Sequence, residues 1–106
     1  MSKDYTRELN ELGVSIGGIL LMVVDQNKIP TAADLIKRYS REFHNKIKDI
    51  ESKEKMEEAF KPFVNTIMSI VETLGVPANQ FKPTRKLILN EMYRFKDTTL
   101  FSGLKK

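Results

Sequence analysis

Residues 56–77 read MEEAFKPFVNTIMSIVETLGVP, and this stretch decides the fold class. Its apolar side chains recur at three- and four-residue steps, which is the spacing of one face of an α-helix. Pro62 interrupts the pattern, so we expect the helix either to kink there or to break into two short helices that meet at Lys61. Gly75, followed by an apolar residue and Pro77, is typical of a helix C-terminus.

The N-terminal segment, approximately residues 4–26, shows the same spacing and predicts a first helix. Its three glycines oppose a helix, because each costs up to about 1 kcal/mol relative to Ala. Gly17 and Gly18 are also compatible with the turn of a short β-hairpin that pairs residues 14–16 with residues 19–24. We favour the helix because the sequence upstream of the glycines is strongly helical.

The remaining apolar stripes predict a second and a last helix. We expect a turn around Pro30 before the second helix, with Thr31 as the N-cap of that helix. Ser52 is the expected N-cap of the third helix. Residues 77–82 are expected to link the third helix to the last one, with room for one helical turn, and Pro83 is expected in the first turn of the last helix.

The whole pattern predicts one helical domain. The chain has 106 residues, of which 41% are apolar, and a chain of this length buries roughly two-thirds of its unfolded surface. We expect an all-α fold, a compact four- to five-helix bundle that is orthogonal or irregular, with the third helix kinked or broken near Pro62. Residues 1–97 are expected to form the domain and residues 98–106 a C-terminal tail. The tail carries three large apolar residues, which either fold back onto the core or form a contact surface.

Charge alternates along the chain. Residues 1–26 sum to −2, residues 27–50 to +3, residues 51–75 to −2 and residues 76–106 to +5, which gives the net charge of +4. The longest uncharged stretch, residues 12–24, is shorter than the run of about 20 apolar residues that a membrane-spanning helix needs. The chain contains no cysteine, which fits a reducing compartment. We therefore expect a soluble, cytoplasmic protein.

Residues suited to catalysis or metal binding are few. The single histidine, His44, has no catalytic partner nearby in the sequence, and we interpret it as a structural residue. Glu57 and Glu58 are adjacent on a helix and so do not face each other. A transition-metal site needs several convergent ligands, usually His and Cys, and the sequence has no phosphate-binding glycine loop. We expect no enzyme activity, no catalytic residue, no metal and no other cofactor.

The basic residues form two groups that are compatible with nucleic-acid binding. The second helix carries one group and the last helix the other, and together they comprise Lys37, Arg38, Arg41, Lys82, Arg85, Lys86, Arg94 and Lys96. Tyr39 and Tyr93 would add stacking surfaces for bases if they were exposed. Direct, sequence-tolerant binding of DNA or RNA is therefore our alternative hypothesis.

The last helix and the tail carry more apolar residues than one buried face needs. This surplus predicts a protein-contact surface made of Tyr93, Phe95, Leu100 and Phe101. Residues 98–101, Thr-Thr-Leu-Phe, loosely resemble the Leu-Phe-ended peptides that dock into replication clamps, without their usual leading Gln. In composition the chain also resembles small phage-encoded regulators, and that resemblance implies a partner in transcription or replication machinery.

Our main hypothesis is a non-enzymatic regulatory or adaptor protein that acts by protein–protein binding. A basic rim around the apolar anchor would steer it to a partner with an acidic or mixed surface. Gly13 and Gly17 lie on one helix face and would let another backbone approach closely. We favour tight packing within the fold as the reason for this spacing, and a homodimer is a further hypothesis. No membrane partner is expected.

Overall fold

The computed structural model describes residues 3–104, and within that range it contains helices and no strand. Across these residues, four α-helices follow one another: α1 (Thr6–Leu21), α2 (Ile29–Ile47), α3 (Lys53–Thr73) and α4 (Ala78–Phe95). A 3-10 turn (Gln26–Lys28) precedes α2, while a π-helical turn (Lys96–Leu100) and a second 3-10 turn (Ser102–Leu104) follow α4. The prediction of an all-α fold is confirmed.

Each helix packs against the next one along the chain, and the first helix also packs against the last. α1 contacts both α2 and α4, α2 contacts α3, and α3 makes a smaller contact with α4. α2 and α4 are therefore a diagonal pair. The most deeply buried side chains come from all four helices: Ile16, Leu20, Ile47, Met56, Ile67, Ile88 and Met92. Each contributes about 1.5–3 kcal/mol by leaving water, so one shared core holds the four helices together.

α1 is one uninterrupted helix through its glycines, so the alternative β-hairpin is wrong. Its buried residues form a single stripe against the core: Leu9, Leu12, Ile16 and Leu20. Burial of this stripe outweighs the cost of the glycines, which is about 1 kcal/mol each. Neither α1 nor any other helix within residues 3–104 is long and apolar enough to cross a membrane.

Two of the predicted helix ends are confirmed. The Ser52 hydroxyl oxygen accepts a hydrogen bond from a backbone N–H three residues further on, at 3.3 Å, and Gly75 has a φ of 76°, in the left-handed region. The prediction of Thr31 as an N-cap is wrong, because α2 already begins at Ile29. Pro30 thus lies in the first turn, where its missing N–H would have had no partner within the helix.

Two prolines lie inside helices. α3 runs through Pro62 as one helix, so the alternative of two short helices is not observed. Pro83 is not in the first turn of α4, because that helix already begins at Ala78, and the predicted link over residues 77–82 is largely helical. Both prolines are exposed, on the side where an interrupted backbone hydrogen bond costs least.

The C-terminal segment continues directly from α4. The backbone N–H of Phe101 donates to the carbonyl oxygen of Lys96 at 2.8 Å, which closes the π-helical turn. Leu100 is fully buried, and Leu104 is buried as well. Of the two alternatives for the tail, the structure shows the one in which it folds back onto the core.

Candidate binding surfaces

The four residues of the predicted protein-contact surface separate into two pairs. Phe95 is 7% exposed and Leu100 is fully buried, so both belong to the core and neither is available as an exposed anchor. Tyr93 is 46% exposed, and Phe101 is half-buried. The accessible part of the predicted surface therefore reduces to Tyr93 and part of Phe101.

Lys96 connects Tyr93 to Phe101. Its ammonium nitrogen lies 5.2 Å from the centroid of each of these two rings and 5.7 Å from that of Phe60. It also lies 3.5 Å from a carboxylate oxygen of Glu57, and its side chain is 15% exposed. Cation–π contacts contribute about 0.5–1 kcal/mol at exposed sites and about 2 kcal/mol when desolvated. We call these five residues the Lys96 cluster.

A surface cleft of about 420 Å³ opens beside the Lys96 cluster, between α3 and α4. Its lining comprises Glu57, Phe60, Lys61, Val64, Asn65, Tyr93 and Lys96. The rings of Tyr93 and Phe60 lie 6.0 Å apart, in a tilted arrangement. The cleft thus presents an aromatic surface with one acidic and two basic groups around it.

The structure does not bring the two predicted groups of basic residues together. The exposed members are Lys37, Arg38 and Arg41 on α2, and Lys82, Arg85, Lys86 and Arg94 on α4. Because α2 and α4 are the diagonal pair, the two groups form separate patches. Two of these basic residues already contact other side chains of the protein. Lys96 lies in the Lys96 cluster, and the Arg94 guanidinium group donates to the Glu91 carboxylate at 2.9 Å.

One face of α4 combines basic and aromatic side chains. Lys82 and Lys86 precede Tyr93 by eleven and seven residues, so the three side chains share one side of the helix. All three are exposed. We call this surface, together with the Lys96 cluster, the α4 face. Tyr39, by contrast, is half-buried on α2, where the guanidinium carbon of Arg38 lies 5.9 Å from its ring centroid.

α1 presents a second apolar surface. Val14 is 76% exposed, Leu21 49% and Met22 70%. Gly17 and Gly18 lie between them in the sequence, and a methyl group built on either glycine would meet no side chain of residues 3–104 within 4 Å. A groove of about 600 Å³ between α1 and α2 includes both glycines. We call this surface the α1 face.

Gly13 has a different role from the other two glycines. A methyl group built on it would lie 3.6 Å from a methyl carbon of Ile36, so Gly13 lies in the packing of α1 on α2. The sequence left packing within the fold and a dimer contact open for Gly13 and Gly17. The structure shows packing within the fold for Gly13, whereas Gly17 and its neighbour Gly18 are open among the described residues.

His44 lies at the junction of the N-terminus and α2. Its Nε2 accepts a hydrogen bond from the backbone N–H of Tyr5 at 3.1 Å and lies 3.5 Å from a carboxylate oxygen of Asp4. Hydrogen bonds from Thr6 lower the pKa of Asp4, and the nearby His44 adds to that shift. These contacts give His44 a structural role. In the described part of the chain, no three His, Cys, Asp or Glu side chains are grouped so that they could hold a metal ion.

The Lys96 cluster was not predicted from the sequence. The three-residue spacing of Tyr93 and Lys96 was a local signal for their contact. Glu57 and Phe60 lie on α3, however, and no local pattern joins them to α4. The exposure of Val14 was missed for a related reason, since the spacing of an apolar stripe does not show which of its flanking residues remain uncovered.

Comparison of the chain with protein-family models, with curated protein sequences and with solved structures finds no match. The function is therefore argued from the surfaces of the chain itself.

Proposed function

We propose that this chain is a non-enzymatic regulatory or adaptor protein that acts in the cytoplasm by binding another protein through the α4 face. The observation that carries the proposal is the exposure of Tyr93, at 46%, on a basic helix face. Exposed aromatic residues that are rimmed by polar or charged groups are the usual anchors of protein interfaces.

The surroundings of Tyr93 support this role because they restrict its ring. Phe60 lies against one part of the ring, and the Lys96 ammonium group lies 5.2 Å from its centroid. An anchor that is already held in one position loses less conformational entropy when a partner covers it.

The charges around Tyr93 indicate the kind of partner. Lys82 and Lys86 lie on the same side of α4, and Lys61 lines the neighbouring cleft. A basic rim speeds association with an acidic or mixed surface and discriminates against a basic one. A component of transcription or replication machinery is the partner implied by the resemblance of the chain, in composition, to small phage-encoded regulators.

Site-specific photo-crosslinking tests the proposal and captures the partner in the same experiment. A photoreactive phenylalanine derivative is placed at Tyr93, and a matched control carries it at Leu87, which is equally exposed on α4, at 47%. We expect one defined protein adduct from position 93 and none from position 87. The affinity of that purified protein should fall by at least about tenfold for Tyr93→Ala, as for an interface anchor, and remain unchanged for Leu87→Ala. Equal behaviour of the two positions would contradict the proposal.

Direct nucleic-acid binding is the second candidate function, and the same α4 face favours it. An exposed tyrosine beside Lys82 and Lys86 combines a stacking surface with phosphate contacts. The test is anisotropy of labelled DNA and RNA at low and high salt, because phosphate contacts weaken steeply with salt. Lys82→Glu with Lys86→Glu should abolish such binding, whereas Arg38→Glu with Arg41→Glu, on the diagonal helix, is the matched control. Absence of binding at low salt would exclude this candidate.

A further inference from the structure

We infer that the α1 face binds the α1 face of a second copy of this chain, so that the protein forms a dimer with two-fold symmetry. The inference does not rest on the proposed function, since it uses a different surface.

The α1 face is apolar, and the side chains of residues 3–104 do not cover it. Val14 and Met22 are 76% and 70% exposed, and no charged residue occurs over residues 12–24. The exposed sides of α2 and α4, in contrast, carry many lysines and arginines. Covering contiguous apolar surface is favourable in proportion to its area, so this face is suited to a protein contact.

The α1 face is complementary to itself when two α1 helices lie antiparallel. With the two-fold axis between Gly17 and Gly18, Val14 of each copy lies opposite Leu21 of the other. The two Val14–Leu21 pairs flank a central notch, where the backbones can approach closely because glycine has no side chain. An isologous contact requires this reciprocity, in which each residue meets the same partner in both directions.

Charge complementarity supports a second copy as the occupant. α1 ends at Leu21, and Asp25 follows that end in an extended conformation. In the antiparallel arrangement this end of each copy lies towards the N-terminal half of the other copy's α1, where Lys37 lines the groove beside Asn10. Asp25 and Lys37 are exposed, and neither has an oppositely charged side chain within ion-pair distance among residues 3–104. Dimerisation would bring these unpaired opposite charges together once on each side of the axis.

Lys28 lies in the 3-10 turn beyond that end of α1, so the antiparallel arrangement also brings it to the same end of the interface as Arg7 of the second copy, which is a pair of like charges. Both side chains already have partners in their own chain. Arg7 lies 3.7 Å from a carboxylate oxygen of Glu11, and the Lys28 ammonium group donates to the carbonyl oxygen of Leu74 at 3.2 Å. Their repulsion therefore opposes the dimer only weakly.

Sedimentation velocity of the full chain over a wide range of concentration is the direct test. α1 has 16 residues, which gives a length of about 24 Å, so the interface is small. We expect association that depends on concentration, with a dissociation constant in the micromolar range. A monomer at every concentration would overturn the inference.

Charged substitutions locate the interface. Val14→Asp places a carboxylate on the two-fold contact at a position that is exposed in the monomer, so it should abolish the dimer and leave the unfolding midpoint unchanged. Leu87→Asp makes the same change on α4 and should leave the dimer intact. A dimer that survives Val14→Asp, or that is lost equally in both variants, would overturn the inference.

Gly17→Ala should have opposite effects on the stability of the monomer and on dimerisation. The added methyl group has open space in the monomer and raises the helix propensity, so the unfolding midpoint of the monomer should rise. In the dimer the same methyl group enters the notch, so association should weaken. Equal or stronger association would show that the helices do not meet there.

A charge exchange tests the register. Asp25→Lys and Lys37→Asp should each weaken the dimer, because each creates a pair of like charges across the axis. The double variant reverses both charges and should restore the wild-type dissociation constant. If the double variant remains as weak as the single ones, the antiparallel register is wrong.

Discussion

A methyl group built on Gly103 would lie 2.9 Å from the hydroxyl oxygen of Tyr5, so the two ends of the described chain meet at a contact where an added side chain would force one of them to shift. The Lys3 ammonium group donates to the carbonyl oxygen of Gly103, and the Lys3 N–H donates to the carbonyl oxygen of Lys48 at 2.8 Å. Residues 3–5 thus join the C-terminal turn to the end of α2. Leu104 is buried next to this contact, so the tail packs against the core.

Gly103→Ala should destabilise the protein. The added methyl group forces either the Tyr5 ring or the C-terminal turn to move, and overpacking of this kind costs about 1–3 kcal/mol. The measurement is the urea midpoint, with Ser102→Ala as the control on an exposed neighbour. Equal midpoints for the two variants would show that the turn is not packed against Tyr5.

Tyr5→Phe should leave stability unchanged or raise it by about 1 kcal/mol. Within residues 3–104 the buried hydroxyl of Tyr5 has no hydrogen-bond partner, so its removal relieves an uncompensated desolvation while the ring keeps its packing. Thermal and urea unfolding of both proteins provide the measurement. A clear loss of stability in Tyr5→Phe would show that the hydroxyl has a partner after all.

Alkaline pH should destabilise the wild type through the same residue. Burial raises the pKa of Tyr5, and the Glu8 carboxylate raises it further. In an unfolded chain the tyrosine hydroxyl has a pKa of about 10. The unfolded state therefore loses the Tyr5 hydroxyl proton at a lower pH than the folded state does. The contribution of protonated Tyr5 to the free energy of unfolding is therefore complete below the pKa of the unfolded chain. It is lost as the pH rises through the pKa of the folded state. Urea midpoints should fall more steeply with rising pH for the wild type than for Tyr5→Phe, and parallel curves would contradict this.

Lys96→Met should cost about 1 kcal/mol, because it keeps most of the side-chain volume but removes the cation from three aromatic rings and from Glu57. Lys53→Met is the matched control. The Lys53 ammonium group also lies 5.5 Å from the centroid of Phe101, but Lys53 is exposed and makes no other aromatic contact among the described residues. The difference between the two urea midpoints measures what the burial of Lys96, its two further aromatic contacts and its ion pair with Glu57 add together. Identical costs would show that the Lys96 cluster adds nothing beyond an exposed contact.

The helices could be predicted from the sequence because they depend on local pattern. The apolar stripes identified all four, and Ser52 and Gly75 marked two ends through interactions within one turn. Pro83 was misplaced because proline is common in first helical turns, whereas here it lies on the exposed side of a helix that begins earlier, at Ala78.

The surfaces could not be predicted in the same way. Phe95 and Leu100 are five residues apart, a step that falls outside the α-helical period. The π-helical turn Lys96–Leu100 takes up the extra residue, which keeps Leu100 among the buried side chains. The Lys96 cluster depends on α3 lying beside α4, and that is a property of the packed bundle.

Our central claim is that the α4 face binds a protein. The most direct measurement is the composition of the species crosslinked in cells by a photoreactive group at position 93, analysed before and after nuclease treatment. We predict one adduct whose mass and yield do not change with nuclease and which contains peptides from a second protein. An adduct that nuclease removes, or an equal pattern from the control at position 87, would contradict the claim.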